Sequence, residues 1–387
     1  MKKLIAISTL LFAINANAQT NVTSVPASAP ESKLGFEWSG DLRIRLNQFS
    51  EADDDPRRNQ QLRARLNLKA DVNPTMKAYM RIATGSTPIS ANQTLGDSSA
   101  PGMQRRNFGL DQAYVDWNFA EQGHLWAGRT ANPFWSPNKV QTIFDADATF
   151  EGLVLKWDPQ WSDSAAFVSA GAFMLSENYS VPDDSVDQGL VALDVGYRGN
   201  SEGLSFAVHT GTYHFLNVQD QRINRLESGT LSNDAYSEPY LTRRGNTIYE
   251  VAANEFYYKN QYTLFNLGGE ARMKLSGGNE IGAFYEYVKN YAVGELGHAH
   301  EFGIIGKWRG IGLSLARIDK DSDSVLGVFT DGDTSGGGTD TEGYRLQISY
   351  QFAANASVLA SQYEADRGVD TVERDYSGTQ VDIAFSF

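Results

Sequence analysis

The chain has no cysteine among its 387 residues. That excludes disulfide scaffolds, thiolate metal sites and cysteine nucleophiles. Proline is scarce, at 11 residues, and basic residues are outnumbered: 33 Lys plus Arg against 47 Asp plus Glu, a net charge of −14. Such a balance argues against a nucleic-acid partner, because no global positive field would hold phosphates. Beyond the first residues, no stretch approaches the ~20 consecutive apolar residues of a spanning helix. What the chain does have is aromatic residues, with 20 Phe, 18 Tyr and 7 Trp.

The opening residues read as an address. Met1-Lys2-Lys3 is a basic start, Leu4 to Ile14 a short apolar run, and Ala16-Asn17-Ala18 an A-x-A cleavage site. This pattern predicts a secretory signal over residues 1–18. Residues 19–34, rich in Ser, Ala, Pro and Thr, read as a flexible leader.

From there the hydrophobic period is two. Phe36, Trp38, Leu42, Ile44 and Leu46 share one face, with Glu37, Asp41, Arg43 and Arg45 on the other. Leu62, Ala64, Leu66 and Leu68 alternate with Arg63, Arg65, Asn67 and Lys69, and Asn73-Pro74-Thr75 then makes a turn. Strict alternation predicts β-strand, because successive side chains point to opposite faces. The pattern recurs to Val381, Ile383, Phe385 and Phe387, and no helical segment of three turns interrupts it. Seven short turns, such as Arg309–Gly310, alternate with eight long connections, including 131–149, 217–260 and 320–341. They join 16 strands, or 18 if residues 245–260 hide a hairpin. Strands of about 9–11 residues with short turns at one end and long loops at the other predict a transmembrane antiparallel up-and-down β-barrel over 35–387. One face of each strand then meets lipid and the other water.

The last eight residues, Gln380 to Phe387, resemble the C-terminal assembly signal of bacterial outer-membrane proteins, with Phe385 and Phe387 as its aromatic positions. The segment Leu125 to Phe134, which contains Gly128-Arg129 and Asn132-Pro133-Phe134, runs on through Phe144-Asp145-Ala146-Asp147 to Phe150-Glu151-Gly152-Leu153. It resembles the outer-membrane "putative porin" family of Gram-negative bacteria. The architecture is similar to that of 16-stranded general porins. The resemblance implies a cell outer-membrane channel for passive diffusion of small hydrophilic solutes, commonly a homotrimer in contact with outer-membrane lipid and lipopolysaccharide. A channel specific for phosphate, a sugar or an anionic oligomer is the alternative, and an outer-membrane hydrolase or adhesin barrel a more distant one. The Pro-Glu-Phe-Gly-Gly constriction motif of enterobacterial porins is absent.

A 16-stranded barrel leaves an aqueous lumen, so something must narrow it. The third long loop, 131–149, occupies the position at which general porins fold a loop inward. It carries Phe134, Trp135 and Phe144, bulky enough to pack on a wall, and the acids Asp145 and Asp147, with Glu151 just beyond. Cations cluster on the non-lipid faces of the first three strands: Arg43, Arg45, Arg63, Arg65, Lys69, Lys77 and Arg81. Charged rings set which ions pass a pore, so this basic wall is expected to face the acidic loop across the lumen. Strict parity puts Arg129 toward lipid unless a bulge near Gly128 turns it inward.

Chemistry beyond transport finds little support. Gly199-Asn200-Ser201-Glu202-Gly203 matches G-x-S-x-G but joins two strands, whereas a nucleophile elbow joins a strand to a helix. Ser205 and His209 share a face but stand about 13 Å apart along a strand, too far for proton transfer. Asp319 to Asp323 begins like a calcium loop, but Ser324 replaces the required glycine. The stretch from there through Asp331-Gly332-Asp333 reads as a solvated external loop. His298 and His300 share a face without a third ligand. No catalytic residue, metal or cofactor is expected.

Overall fold

Alternation along the chain becomes sixteen long strands, each antiparallel to the next. They are β1 (Phe36–Glu51), β2 (Arg57–Asn73), β3 (Met76–Thr84), β4 (Phe108–Ala120), β5 (Gly123–Ala131), β6 (Thr149–Trp157), β7 (Ser164–Ser176) and β8 (Gln188–Ser201). The second half is β9 (Leu204–Leu216), β10 (Thr263–Lys274), β11 (Glu280–Asn290), β12 (His298–Trp308), β13 (Ile311–Lys320), β14 (Thr341–Ala353), β15 (Ala356–Arg367) and β16 (Arg374–Ser386). The computed structural model describes residues 35–52, 55–85, 90–96, 105–177, 186–222, 244–252 and 255–387. The expected signal (1–18) and leader (19–34) lie outside the described residues.

Strand β16 returns to β1, with Leu42 opposite Phe385, Arg45 opposite Asp382 and Glu51 opposite Tyr376. The sheet therefore closes, and closure removes the unpaired edges that lipid cannot satisfy. The segment Ile248–Ala252 does form a hairpin, with Glu255–Tyr258, but as a separate two-stranded sheet. The barrel count is therefore sixteen and not eighteen. A two-residue ladder, Gln93–Thr94, pairs with β2 beyond the point where β3 stops.

Turn chemistry explains the short end. Glu202–Gly203 and Arg309–Gly310 all have positive φ, at 45°, 88°, 49° and 85°. That is the tight hairpin turn whose twist matches the flanking strands, and glycine takes its second position without a Cβ penalty. At Asn73–Thr75 the Asn73 side chain accepts the Thr75 backbone N–H at 2.9 Å. The G-x-S-x-G stretch is thus a strand-to-strand turn.

The outward face is apolar: Leu66, Leu153, Leu155, Leu193, Ile304, Leu346 and Ile348 are all exposed. Trp117, Trp157, Trp308 and Phe352 ring the short-turn end, and Phe108, Tyr291 and Tyr344 the long-loop end. These are the aromatic girdles of a membrane barrel.

The inward face departs from simple alternation. From β6 to β12 its long-loop half is apolar rather than water-facing. Phe150, Val154, Phe173, Leu190, Tyr213, Phe215, Leu264 and Val288 are buried there in one cluster. The same cluster takes in Ile143 and Phe144 of loop 131–149, Tyr258 of the hairpin, and Val325, Leu326 and Val328 of loop 321–340. One side of the barrel is thus filled by three connecting segments. Loop 321–340 is largely buried, which corrects its reading as a solvated external loop. Asp323 shows how it is held. Its carboxylate accepts hydrogen bonds from the Thr247 backbone N–H at 3.0 Å, the Thr247 hydroxyl at 2.5 Å, Asn260 at 2.8 Å and the Tyr262 hydroxyl at 2.7 Å.

Candidate functional site

Loop 131–149 bonds to one strand after another along the inner wall. The Pro133 carbonyl accepts the Ser169 hydroxyl of β7 at 3.0 Å. The Trp135 backbone N–H donates to Asp194 of β8 at 3.2 Å, and its ring meets the His209 ring edge-on at 4.8 Å between centroids. Asn138 donates its backbone N–H to Glu270 of β10 at 2.6 Å and accepts Arg272 at 3.1 Å. Val140 is buried with Phe284, Ile305 and Ala316. The Thr142 hydroxyl reaches Glu301 of β12 at 3.3 Å. Phe134 and Phe144 pack into the aromatic cluster, Phe134 lying 5.1 Å from Tyr213 and Phe144 4.9 Å from Phe150.

At its far end the loop meets the arginines of β1 and β2. Asp147 lies 3.5 Å from Arg63 and 3.3 Å from Arg65. Asp41 holds the same two guanidinium groups at 2.9 and 2.6 Å. Arg45 is gripped by Asp382 of β16, at 2.6 and 2.9 Å, and by Asp333 of loop 321–340 at 2.5 Å. Arg43 donates to Asn92 at 2.5 Å and stands 3.8 Å from Asp382. Four of the seven predicted cations therefore form one cluster with four aspartates. The other three stand apart. Lys69 pairs with the exposed Glu37 at 2.8 Å, Arg81 pairs with Asp111, and Lys77 lies opposite Asp71 and Asp116.

The expected arrangement of loop acids facing arginines across open lumen needs three corrections. Asp147 is in direct contact with the arginines. Asp145 turns the other way, accepting the Gly332 backbone N–H of loop 321–340 at 3.2 Å and the Asp147 N–H at 2.7 Å. Glu151 is not a lumen residue. It shares the outward face of β6 with Leu153, Leu155 and Trp157 and pairs with Arg129. The parity of β5 therefore holds for Arg129. The bulge is not at Gly128 but on the neighbouring strand, where Asp111 is skipped in the pairing between Arg81 and Ile82; the Asp111 carbonyl accepts Arg129 Nε at 2.8 Å. Phe385 is exposed on the outer face. Phe387 closes the chain with two backbone hydrogen bonds to Gly40, at 2.9 and 3.1 Å.

Three features escaped the sequence reading. Asp382 was legible in principle, because it alternates with Val381 and Ile383 and closure sets it beside Arg45. Asp333 was not, because a loop has no period to follow. The buried set Asp194, His209 and Glu286 is a third inner-wall feature: the imidazole Nδ1 lies 2.7 Å from Asp194 and Nε2 3.2 Å from Glu286. Ser205 bonds instead to the Arg272 carbonyl, away from this histidine.

The two inserted loops dock on each other. Asp145 donates its backbone N–H to the Phe329 carbonyl at 2.7 Å, and the Gln141 and Thr142 carbonyls, both 2.9 Å away, share the single proton of the Thr330 hydroxyl. Burial, with the Asp331 charge beside it, pushes the Asp145 carboxyl up to about 7. The folded chain therefore holds a proton that a free aspartate, at about 3.9, releases earlier. The resulting stabilisation of the loop contact is complete below about pH 4 and lost as pH rises through about 7. Single-channel current is accordingly expected to become noisier as pH is raised from about 4 to about 7, and Asp145→Asn to remove most of that pH dependence.

Open space remains at both ends of the barrel: at the long-loop end beside β1, β2, β15 and β16, and at the short-turn end from β10 round to β16. A cavity of about 570 Å³ at the long-loop end is lined by Asn47, Asn59, Gln61, Asp333 and Gln380. One of about 840 Å³ at the short-turn end is lined by Asp41, Arg272, Gln347, Ser349 and Ser357. The arginine–aspartate cluster lies between them: Asp333 reaches Arg45 from the first, and Asp41 reaches Arg63 and Arg65 from the second.

The fold has solved relatives. Pseudomonas putida OprB superposes with a TM-score of 0.56 at 12% identity, covering 91% of this chain and 94% of that one. A loop L8 deletion mutant of OmpT, an outer-membrane protein of Vibrio cholerae, gives 0.52 at 15% identity, covering 92% and 99%. The trimer form of in-vitro folded Vibrio cholerae OmpT gives 0.50 at 14% identity, covering 92% and 99%. No curated protein sequence matches this chain. At these identities the likeness establishes the closed barrel. The family rests on sequence: residues 11–273 match the model of the family described as "Putative porin". With that match spanning more than half its length, the chain belongs to the putative porin family and is a non-enzymatic, porin-like diffusion channel of the outer membrane.

Proposed function

We propose that the protein passes small hydrophilic solutes and ions by passive diffusion, along the inner side of β14–β16 and β1–β3. Loops 131–149 and 321–340 narrow this path, and Arg43, Arg45, Arg63 and Arg65 are its charged wall. The observation that carries the reading is the pair of polar cavities, one at each end of the barrel, with the charged cluster between them. Amide and hydroxyl groups line both, so a hydrated solute exchanges water for protein hydrogen bonds at little net cost. Residues 1–18 act as the export signal and 19–34 as a leader, with Phe385 and Phe387 serving barrel assembly. The apolar belt contacts outer-membrane lipid and its rim lipopolysaccharide. The trimeric form of OmpT supports a homotrimer.

Planar-bilayer recording on the refolded chain tests this reading. Stepwise ohmic conductance is expected; an inserted barrel that never conducts contradicts it. Replacing Arg43, Arg45, Arg63 and Arg65 together by glutamine is expected to move the reversal potential in a salt gradient toward cation preference.

A further inference from the structure

Closure of the barrel sets a row of amides side by side near the long-loop end. Gln380 of β16 lies opposite Asn47 of β1, and Asn47 lies opposite Asn59 of β2. Gln61, two residues further along β2, is on the same inner face, opposite Thr94 of the two-residue ladder. Facing strands hold such side chains ~5 Å apart at Cβ, near enough for one small ligand to touch several. All four amides line the cavity of about 570 Å³, a volume within the range of small-molecule sites, ~300–1,000 Å³.

One end of each amide is already engaged. Asn47 Nδ2 donates to Asn59 Oδ1 at 2.8 Å, Gln61 Nε2 to Thr94 Oγ1 at 3.4 Å, and the Tyr363 hydroxyl to Gln380 Oε1 at 3.3 Å. The other ends are left over: Asn47 Oδ1 and Gln61 Oε1 can accept, and Asn59 Nδ2 and Gln380 Nε2 can donate. Asn47 is 8% exposed, and among the described residues its Oδ1 meets no donor. A buried carbonyl oxygen without a donor is costly, so this atom points to a ligand that brings one.

We propose that this cavity is a binding site for an uncharged sugar, which it collects at the long-loop mouth before diffusion through the barrel. The inference rests on the diffusion-channel reading above and names its solute class. A hydroxyl both donates and accepts, and two free acceptors beside two free donors suit a ring of hydroxyls. A simple anion offers acceptors alone and would leave Asn47 Oδ1 without a donor. The charged lining agrees: Glu51, Asp55 and Asp333 outnumber Arg57 and Arg367, so no positive excess is available to an anion. Half-buried Phe49 on the same lining adds the apolar surface that a sugar's C–H face covers.

The test records the full chain in planar bilayers, with solute added to one side at a time. Maltose on the long-loop side is expected to reduce the current saturably, and at lower concentration than from the other side. Polyethylene glycol of equal hydrodynamic size, which lacks ring hydroxyls, is expected to give only a weak, unsaturating fall. Maltobionate, the same disaccharide carrying a carboxylate, is expected to block less than maltose. Asn47→Leu and Gln380→Leu are each expected to raise the half-blocking maltose concentration about two- to tenfold, the worth of one hydrogen bond. Gln48→Leu, on the outer face of β1, is expected to leave it unchanged. The two inner amides lie on different strands, so either variant that conducts carries the test. An unchanged half-blocking concentration in a conducting amide variant overturns the proposal and leaves the channel reading standing. In the conducting native chain alone, the absence of saturable block by maltose, or stronger block by maltobionate, does the same. A native barrel that never conducts overturns both.

Discussion

Replacing His209 with alanine is expected to destabilise the barrel by about 3–5 kcal/mol, the range for removing one partner of a buried ion pair. The imidazole is 1% exposed, and the carboxylates on either side of it, Asp194 and Glu286, are 0% and 4% exposed. Both ring nitrogens face carboxyl oxygens, and the doubly protonated ring donates to both at once. Asn266 adds a hydrogen bond to Glu286 at 2.6 Å, and the Trp135 backbone N–H adds one to Asp194. Alanine would leave two buried carboxylates sharing a cavity without a cation. Unfolding of the refolded protein by urea in detergent, followed by tryptophan fluorescence, measures the loss. A midpoint equal to that of the native chain would show that the three groups do not act as one unit.

The second large effect concerns Phe144. Its ring is buried and lies within 4.9–6.4 Å of Phe134, Phe150, Tyr213 and Phe215. Phe144→Ala deletes one of the aromatic anchors of loop 131–149, beside Phe134 and Trp135, and opens a cavity, at an expected cost of about 3–5 kcal/mol. Strand pairing does not involve this side chain, so the barrel itself should still close. The readout is therefore double: a lower unfolding midpoint, and larger, noisier current steps as the loop leaves the wall. Lower stability with unaltered current would mean that the loop does not narrow the path.

The barrel was legible because its signal repeats. Trp38, Leu66, Leu155 and Ile348 obey one parity rule in strand after strand, and lipid enforces that rule wherever a side chain points outward. No comparable constraint acts inside. Phe173, Leu190 and Tyr213 sit at positions that the rule assigns to water, and they are buried because two loops and a hairpin fold in over them. The runs Ala165-Ala166-Phe167-Val168 and Gly189-Leu190-Val191-Ala192, apolar on both parities, were the available hint. In loop 321–340 the acids and glycines suggested solvent, yet Val325-Leu326-Gly327-Val328-Phe329 is an apolar run that a solvated loop does not need. The arginines of β1 and β2 followed from parity alone. Asp147 was expected to face them from the inserted loop, at a distance the structure closes to direct contact; Asp333 was not, because it reaches Arg45 through folding that carries no sequence period.

The central claim is that this barrel is wet along β14–β16, β1 and β2 and filled in the long-loop half of β6 to β12. The absence of native cysteine allows a direct measurement: single-cysteine variants exposed to a charged, water-soluble thiol reagent while current is recorded. Gln380→Cys and Ser349→Cys, which line the two cavities, are expected to lose current on labelling. Leu190→Cys and Leu264→Cys, on the buried inner wall, are expected to keep it. Labelling that blocks the second pair as readily as the first would contradict the account.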